Sequence, residues 1–232
     1  MTSSDKHKLA DFFDLTNDFL SSGYRGAQRE YHFTGDEELP AQSHIDSIDK
    51  IALEIRSCNN CPLGMKRTNA APGEGITQPL VMIIGEGPGY EEDAQGRPFV
   101  GRAGKLLDKM LSSINLSRET NCFIANVIKC RPPDNRDPYP EETSACASFL
   151  ERQITVLKPK YILVAGRVAA QTLLKTTEPM GKLRGKFYQL NVGTSSYPLL
   201  VTYHPAFLLR NEEMKRPAWE DLKLLRSKLE EI

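Results

Sequence analysis

Runs of Val, Ile and Leu recur along this chain without the polar alternation of a half-exposed strand. They are Leu80–Gly85 (LVMIIG), Cys122–Lys129 (CFIANVIK), Tyr161–Gly166 (YILVAG) and Leu199–Tyr203 (LLVTY). Near-continuous apolar runs of this length predict strands buried on both faces. Helical spacing fills the segments between them, at 102–114, 140–157 and 167–175, and a last helix is predicted at 217–231. Alternating strand and helix predicts an α/β fold. The expectation is a three-layer α/β/α arrangement around a mostly parallel, roughly four-stranded central sheet. Lys186–Val192 is read as a short hairpin near its edge.

Ahead of these runs the pattern weakens. Residues 7–21 could form an amphipathic helix through Leu9, Phe12, Phe13, Phe19 and Leu20, while residues 22–42 are polar and rich in Gly and acids. A helix at about 44–57 then runs into a Cys-Asn-Asn-Cys turn. The reading is an acidic, partly helical or disordered extension over 1–42 and a main domain over 43–232.

Composition narrows the classes. The chain has 232 residues, 40% of them hydrophobic, and no apolar run of the eighteen or so residues that a membrane span needs. Its N-terminal residues lack the apolar stretch and small-residue site of a secretory signal. A cytoplasmic monomer, with no membrane partner, is expected. Net charge is zero, but unevenly spread: residues 1–50 hold ten acids against five bases, leaving a mildly basic body suited to a polyanion.

Five cysteines in a reducing compartment point to metal or cluster binding before disulfides. Cys58 and Cys61 sit two residues apart in one turn, whereas Cys130 and Cys146 are isolated. A zinc ribbon would repeat the short gap in its second half. Two ligands from one turn plus two single ones fit an iron–sulfur cluster; a structural zinc site and unrelated buried thiols are the alternatives.

In open α/β sheets the working site lies beyond the carboxyl ends of the strands, which directs attention to four segments. After the first strand comes Gly85-Glu86-Gly87-Pro88-Gly89, a tight turn without the Lys-Ser/Thr of a P-loop. Glu91, Glu92 and Asp93 follow, then Phe99 among glycines and arginines, where an aromatic suits a stacked base. Asn126 lies in the second strand. A buried amide presents a donor and an acceptor side by side, which complements uracil and mismatches cytosine. His204 follows the fourth strand. The residues Ala206-Phe207-Leu208-Leu209-Arg210 after it offer exposed apolar groups able to wedge into a duplex.

Taken together, from about Ile51 to Leu225, these pieces resemble the family 4 (iron–sulfur) uracil-DNA glycosylases. The match rests on Cys58–Cys61, the block GEGPGYEEDAQGRPFVGRAGKLLD, NVIKCRPPDNR with Cys146 downstream, and HPAFLLR. Gly87, where that family often has alanine, is a departure in a turn read as tolerating either. The resemblance implies a 4Fe–4S cluster on Cys58, Cys61, Cys130 and Cys146, with Cys122 left as a strand-core thiol. It implies that Phe99 stacks on a flipped uracil, Asn126 reads its edge and His204 donates to the leaving base. Glu86 and Gly87 line the pocket, Glu86 being the second catalytic candidate. Glu92 lies near the base, and Asn135 matches a second asparagine of the motif. Leu208 is the candidate wedge. The implied reaction is hydrolysis of the N-glycosidic bond of deoxyuridine in single- or double-stranded DNA.

Rival readings explain less. A branch that captures uracil covalently uses a histidine after the second strand, and this chain has none between Val127 and Tyr203. An iron–sulfur electron-transfer protein leaves Phe99, Asn126 and His204 idle. A DNA-binding module with a decayed site is disfavoured because the expected polar residues are all present.

Overall fold

The structure is a computed structural model that describes residues 46–231, together with Asp14. The chain divides into two units, Met1–His44 and Ile45–Ile232. The extension read over 1–42 and its helix at 7–21 lie outside the described residues, Asp14 excepted.

The central sheet has six strands in the order β1-β3-β2-β4-β6-β5. Its inner strands are β2 (Val81–Gly85), β3 (Cys122–Asn126), β4 (Tyr161–Ala165) and β6 (Ser195–Thr202), all mutually parallel. Two antiparallel edges enlarge the sheet beyond the four strands expected. β1 (Glu74–Gly75) pairs with β3, and β5 (Phe187–Val192) forms a hairpin with β6. The edge hairpin is where the sequence places one. β3 is shorter than its apolar run, because the chain bends after Asn126 toward Cys130.

Side chains of each inner strand alternate between two cores, as the strand period requires. Met82, Ile84, Ala125, Ile162 and Val164 pack toward α1 (Ile48–Ser57), α5 (Pro140–Leu157) and α6 (Arg167–Leu174). Val81, Ile83, Ile124, Leu163 and Leu200 pack toward α4 (Arg102–Ser112) and α9 (Lys215–Leu229). These are the three layers predicted. Short helices α2 (Leu63–Lys66), α3 (Tyr90–Gln95), α7 (Met180–Leu183) and α8 (Pro205–Leu208) fill the connections. Among the described residues no helix is long and apolar enough to cross a membrane.

Local chemistry explains the helix ends that matter for the site. Ser47 caps α1, its Oγ accepting from Lys50 N–H at 3.2 Å. Pro140 opens α5 at the position where a missing N–H is harmless. The Glu142 carboxylate accepts from Tyr139 N–H at 2.8 Å and from both terminal nitrogens of Arg136. Arg152 on α5 reaches Asp46 and Glu54, joining α5 to α1.

Consecutive strands run from β2 to β3 on one side, then cross to β4 on the other. That reversal opens a crevice at the carboxyl end of β2, the place where such sheets bind ligands.

Candidate active site

A cleft of about 730 Å³ occupies this crevice. Glu86 and Gly87 after β2, Phe99, Asn126 at the end of β3, Gly166 after β4 and His204 after β6 all line it. The ring of Phe99 stacks beside His204, with centroids 5.5 Å apart and planes inclined by 30°. A Cβ placed on Gly85 would lie 2.5 Å from both Asn126 Oδ1 and the Phe99 ring, so amide and ring flank one spot. Three separate crossings of the sheet therefore deliver an aromatic, an amide and an imidazole to one pocket.

Two of the three carry a mark of a site shaped for a ligand. Asn126 is buried, and its Oδ1 has no hydrogen-bond partner. An orphaned buried acceptor costs about 1–3 kcal/mol. Phe99 holds a left-handed backbone at φ 52°, unfavourable for a bulky residue. Its surroundings impose that conformation. The buried guanidinium of Arg118 donates to the carbonyls of Pro98 and Phe99 at 3.0 and 2.9 Å, and Asp108 braces it at 2.8 Å. Glu92 Oε1 accepts from the N–H groups of Val100 and Gly101, each at 2.9 Å, and Oε2 from Gly89 N–H at 3.1 Å. Glu92 borders the cleft, as expected, but its oxygens are committed to backbone. It shapes the loop rather than reading a base.

His204 is held by its own helix. Its Nδ1 accepts from Ala206 N–H at 3.1 Å, so a neutral ring carries its proton on Nε2. Burial, reinforced by Arg210 and opposed by Glu92, lowers its pKa to about 4. The strand before it is pinned where Thr202 Oγ1 donates to buried Asp221 at 2.8 Å, and Arg184 grips the same carboxylate. Gly166, at φ 101°, packs against the His204 ring, where a Cβ would come within 2.9 Å of His204 Cβ.

Glu86 is half-buried at the mouth of the same turn. Burial, followed by repulsion from Asp137, raises its pKa to about 7, and Arg167 pulls the other way. Asp137 and Arg167 are themselves ion-paired. Gly87 is less permissive than its turn implied, because a Cβ there would lie 2.7 Å from Ile128 Cγ1.

Two expectations shift. Asn135 borders the cleft, exposed and at φ 53°, and its Oδ1 accepts from Arg131 Nε at 2.7 Å, which sets it at the rim. Leu208 is only 1% exposed and packs inward. Within the apolar stretch 206–210 it is Leu209, 41% exposed, that borders the cleft, because α8 turns its neighbour into the core. The sequence reading missed Arg118, Asp137 and Arg167, since no pattern separates such groups from ordinary surface charges. Gly166 carried a signal, a glycine at a strand end.

The cysteines gather elsewhere. Cys58 caps the end of α1, Cys61 follows in the turn, Cys130 lies beyond β3 and Cys146 sits in α5. All four line one small cavity. Among the described residues no three Cys, His, Asp or Glu side chains converge on a point that would hold a single ion. Arg67 Nη1 donates to Cys130 Sγ at 2.9 Å. Cys122 faces the other core, and burial pushes its thiol up to about 12. Beside the cavity, Lys129 is fully buried, its Nζ donating to Asn126 O at 2.8 Å and to Gln153 Oε1 at 2.7 Å.

Comparison with known proteins gives this arrangement a family. Residues 72–223 match the family described as the uracil DNA glycosylase superfamily. A type-4 uracil-DNA glycosylase of Saccharolobus solfataricus is 45% identical over 80% of this chain and 88% of its own. One of Thermotoga maritima is 40% identical over 78% of this chain and 93% of its own. A type-5 uracil-DNA glycosylase of Thermus thermophilus is 31% identical over 65% of this chain and 83% of its own. The chain belongs to the uracil-DNA glycosylase superfamily, and within it to the type-4 family.

Proposed function

We propose that this protein excises uracil from DNA, hydrolysing the N-glycosidic bond of deoxyuridine and leaving an abasic site for base excision repair. The observation that carries the reading is the unpaired Asn126 Oδ1 beside Phe99 and His204 in one cleft. Uracil N3–H satisfies that oxygen, and uracil O4 accepts from the amide nitrogen; cytosine offers the reverse pattern at both atoms. Phe99 supplies a face for the pyrimidine. The target nucleotide leaves the stack at a cost of about a few kcal/mol, and a mispaired or single-stranded uracil costs less. Arg102 and Arg210, exposed along the cleft, suit the flanking phosphates.

His204 acts as the donor to uracil O2. Negative charge grows on that oxygen as the bond breaks, and a donor aimed there stabilises the transition state more than the ground state. A pKa of about 4 keeps the ring neutral at neutral pH, with Nε2–H free to donate. Glu86, lining the same cleft, is assigned a weak orienting role toward the attacking water in a largely dissociative reaction. Lys129 is unsuited to lyase chemistry, because its amine is engaged by Asn126 and Gln153.

The cysteine cavity fits a 4Fe–4S cluster held by Cys58, Cys61, Cys130 and Cys146. Its donors are thiols alone, two from one turn and one each from the chain after β3 and from α5, and all four line one cavity. A 4Fe–4S cluster is held by four such Cys thiolates. When bound, the cluster supplies a rigid cross-link between α1, the chain after β3 and α5. A reducing cytoplasm suits such thiols.

The test is purified protein on an oligonucleotide containing one uracil, read as abasic-site formation in single- and double-stranded forms. Turnover with release of free uracil is the expected result. Binding without release would make the protein a uracil-DNA binder, and no discrimination between uracil and cytosine would remove the reading.

A further inference from the structure

The segment Arg67–Asn69 lies between the cysteine cavity and the helix that borders the cleft. Arg67 follows α2, and its two terminal nitrogens divide between partners. Nη1 donates to Cys130 Sγ at 2.9 Å and Nη2 to Arg56 O at 2.6 Å. Arg56 is in the last turn of α1, two residues before Cys58. Arg67 therefore spans two of the chain segments that bring thiols to the cavity.

The residues after it reach the other way. The N–H groups of Thr68 and Asn69 donate to Asp93 Oδ1 at 2.9 and 3.4 Å. Asn69 Nδ2 donates to the carbonyls of Asp93 and Ala94 at 2.9 and 3.1 Å. Asp93 is buried in α3, and its neighbour Glu92 fixes the amides immediately after Phe99. Hydrogen bonds, joined through the backbone at residues 67–68 and 92–93, thus lead from Cys130 to the strained loop at Phe99.

We propose that Arg67 is a positioning residue coupling the cysteine site to the uracil pocket, donating to a cluster-bound Cys130 thiolate while residues 68–69 anchor α3. The inference rests on the cluster reading above. Arginine suits the position because its planar fork holds two donors at a fixed spacing. Lysine would keep the charge but could not span the thiolate and the Arg56 carbonyl with the same rigidity. An N–H donor to a cluster sulfur also raises the reduction potential and shields the thiolate.

The experiment compares wild type, Arg67→Met, Arg67→Lys and Asn69→Ala, all purified without oxygen. Iron content, the cluster's visible absorbance, its loss under a chelator, the midpoint potential and the KM for uracil-containing DNA are measured. Arg67→Met should bleach roughly ten- to a hundredfold faster than wild type, shift the potential to a more negative value and raise KM. Arg67→Lys should fall between, and carries the same readouts if the methionine variant fails to accumulate. Asn69→Ala, which keeps the thiolate contact, should bleach as wild type does yet share the higher KM. A wild type isolated without iron overturns the cluster reading and this inference with it. A wild type with full iron, whose Arg67 variants match it in bleaching and potential, overturns the inference alone. So would faster bleaching with wild-type KM in every variant, since the coupling to the pocket would be absent.

Discussion

The carboxyl end of β3 and the chain that follows it make opposite use of buried polar groups. At Asn126 the chain leaves an acceptor without a partner, next to a phenylalanine in a disfavoured backbone conformation. Three and four residues on, the buried groups are matched: Lys129 is gripped by a carbonyl and an amide, and Cys130 receives Arg67. The first region resembles a lock held open, the second a seam drawn shut. Strain and an orphaned acceptor persist only where a rigid surround enforces them and a ligand can relieve them. The hydrogen-bonded side of the scaffold braces the open side.

Substitutions at the seam should therefore act mainly on the fold, and substitutions at the pocket mainly on the chemistry. The largest effect falls at the seam. Cys130→Ala or Cys146→Ala should abolish the absorbance near 400 nm expected of a cluster and lower unfolding stability by several kcal/mol, since binding energy at a structural metal site is folding energy. Unchanged iron and colour would take that residue out of the ligand set.

At the pocket, His204→Ala should cost about 2–4 kcal/mol of transition-state stabilisation, the scale of one lost oxyanion donor, while the thermal midpoint stays close to wild type. Single-turnover excision is the measurement, and near-native rates would end the proposed role. Asn126→Ala sharpens the contrast further. Excision should weaken by about 1–3 kcal/mol, yet the unliganded protein should unfold no earlier, because the side chain removed has an unmet acceptor. A large drop in melting temperature with normal base selectivity would show that the amide serves packing.

The smallest effect is a pH slope. Burial raises Glu86 to about 7, whereas His204, lowered to about 4, stays neutral across the working range. If the Glu86 carboxylate orients water, the excision rate rises with pH up to about 7 and then levels. Glu86→Gln should flatten that rise. The folded state binds the Glu86 proton more tightly than the unfolded chain, so stability falls as pH climbs from about 4.5 through 7, and the glutamine variant should lose that decline too. An unaltered pH–rate profile in Glu86→Gln would assign the slope elsewhere.

Much of this is legible in the sequence. The inner strands are legible because strands buried on both faces need continuous apolar runs, and Phe99, Asn126 and His204 stand out as odd residue types at or beyond strand ends. The edge strand β1 was not, since Glu74 and Gly75 carry no strand preference and pair with β3 only through tertiary context. Helix α3 starts inside a glycine turn and lacks an apolar stripe long enough to see. Arg118 and Arg67 escaped because an arginine's partner, not its position in sequence, decides whether it is solvated or structural. That Leu209 rather than Leu208 borders the cleft reflects helical phase, which one turn of apolar residues cannot set.

Uracil diffused into crystals of the protein tests the central claim most directly. The account predicts the ring against Phe99, its N3 within hydrogen-bonding distance of Asn126 Oδ1 and its O2 facing His204. Uracil settled anywhere else, with the Asn126 oxygen still unpaired, would contradict it.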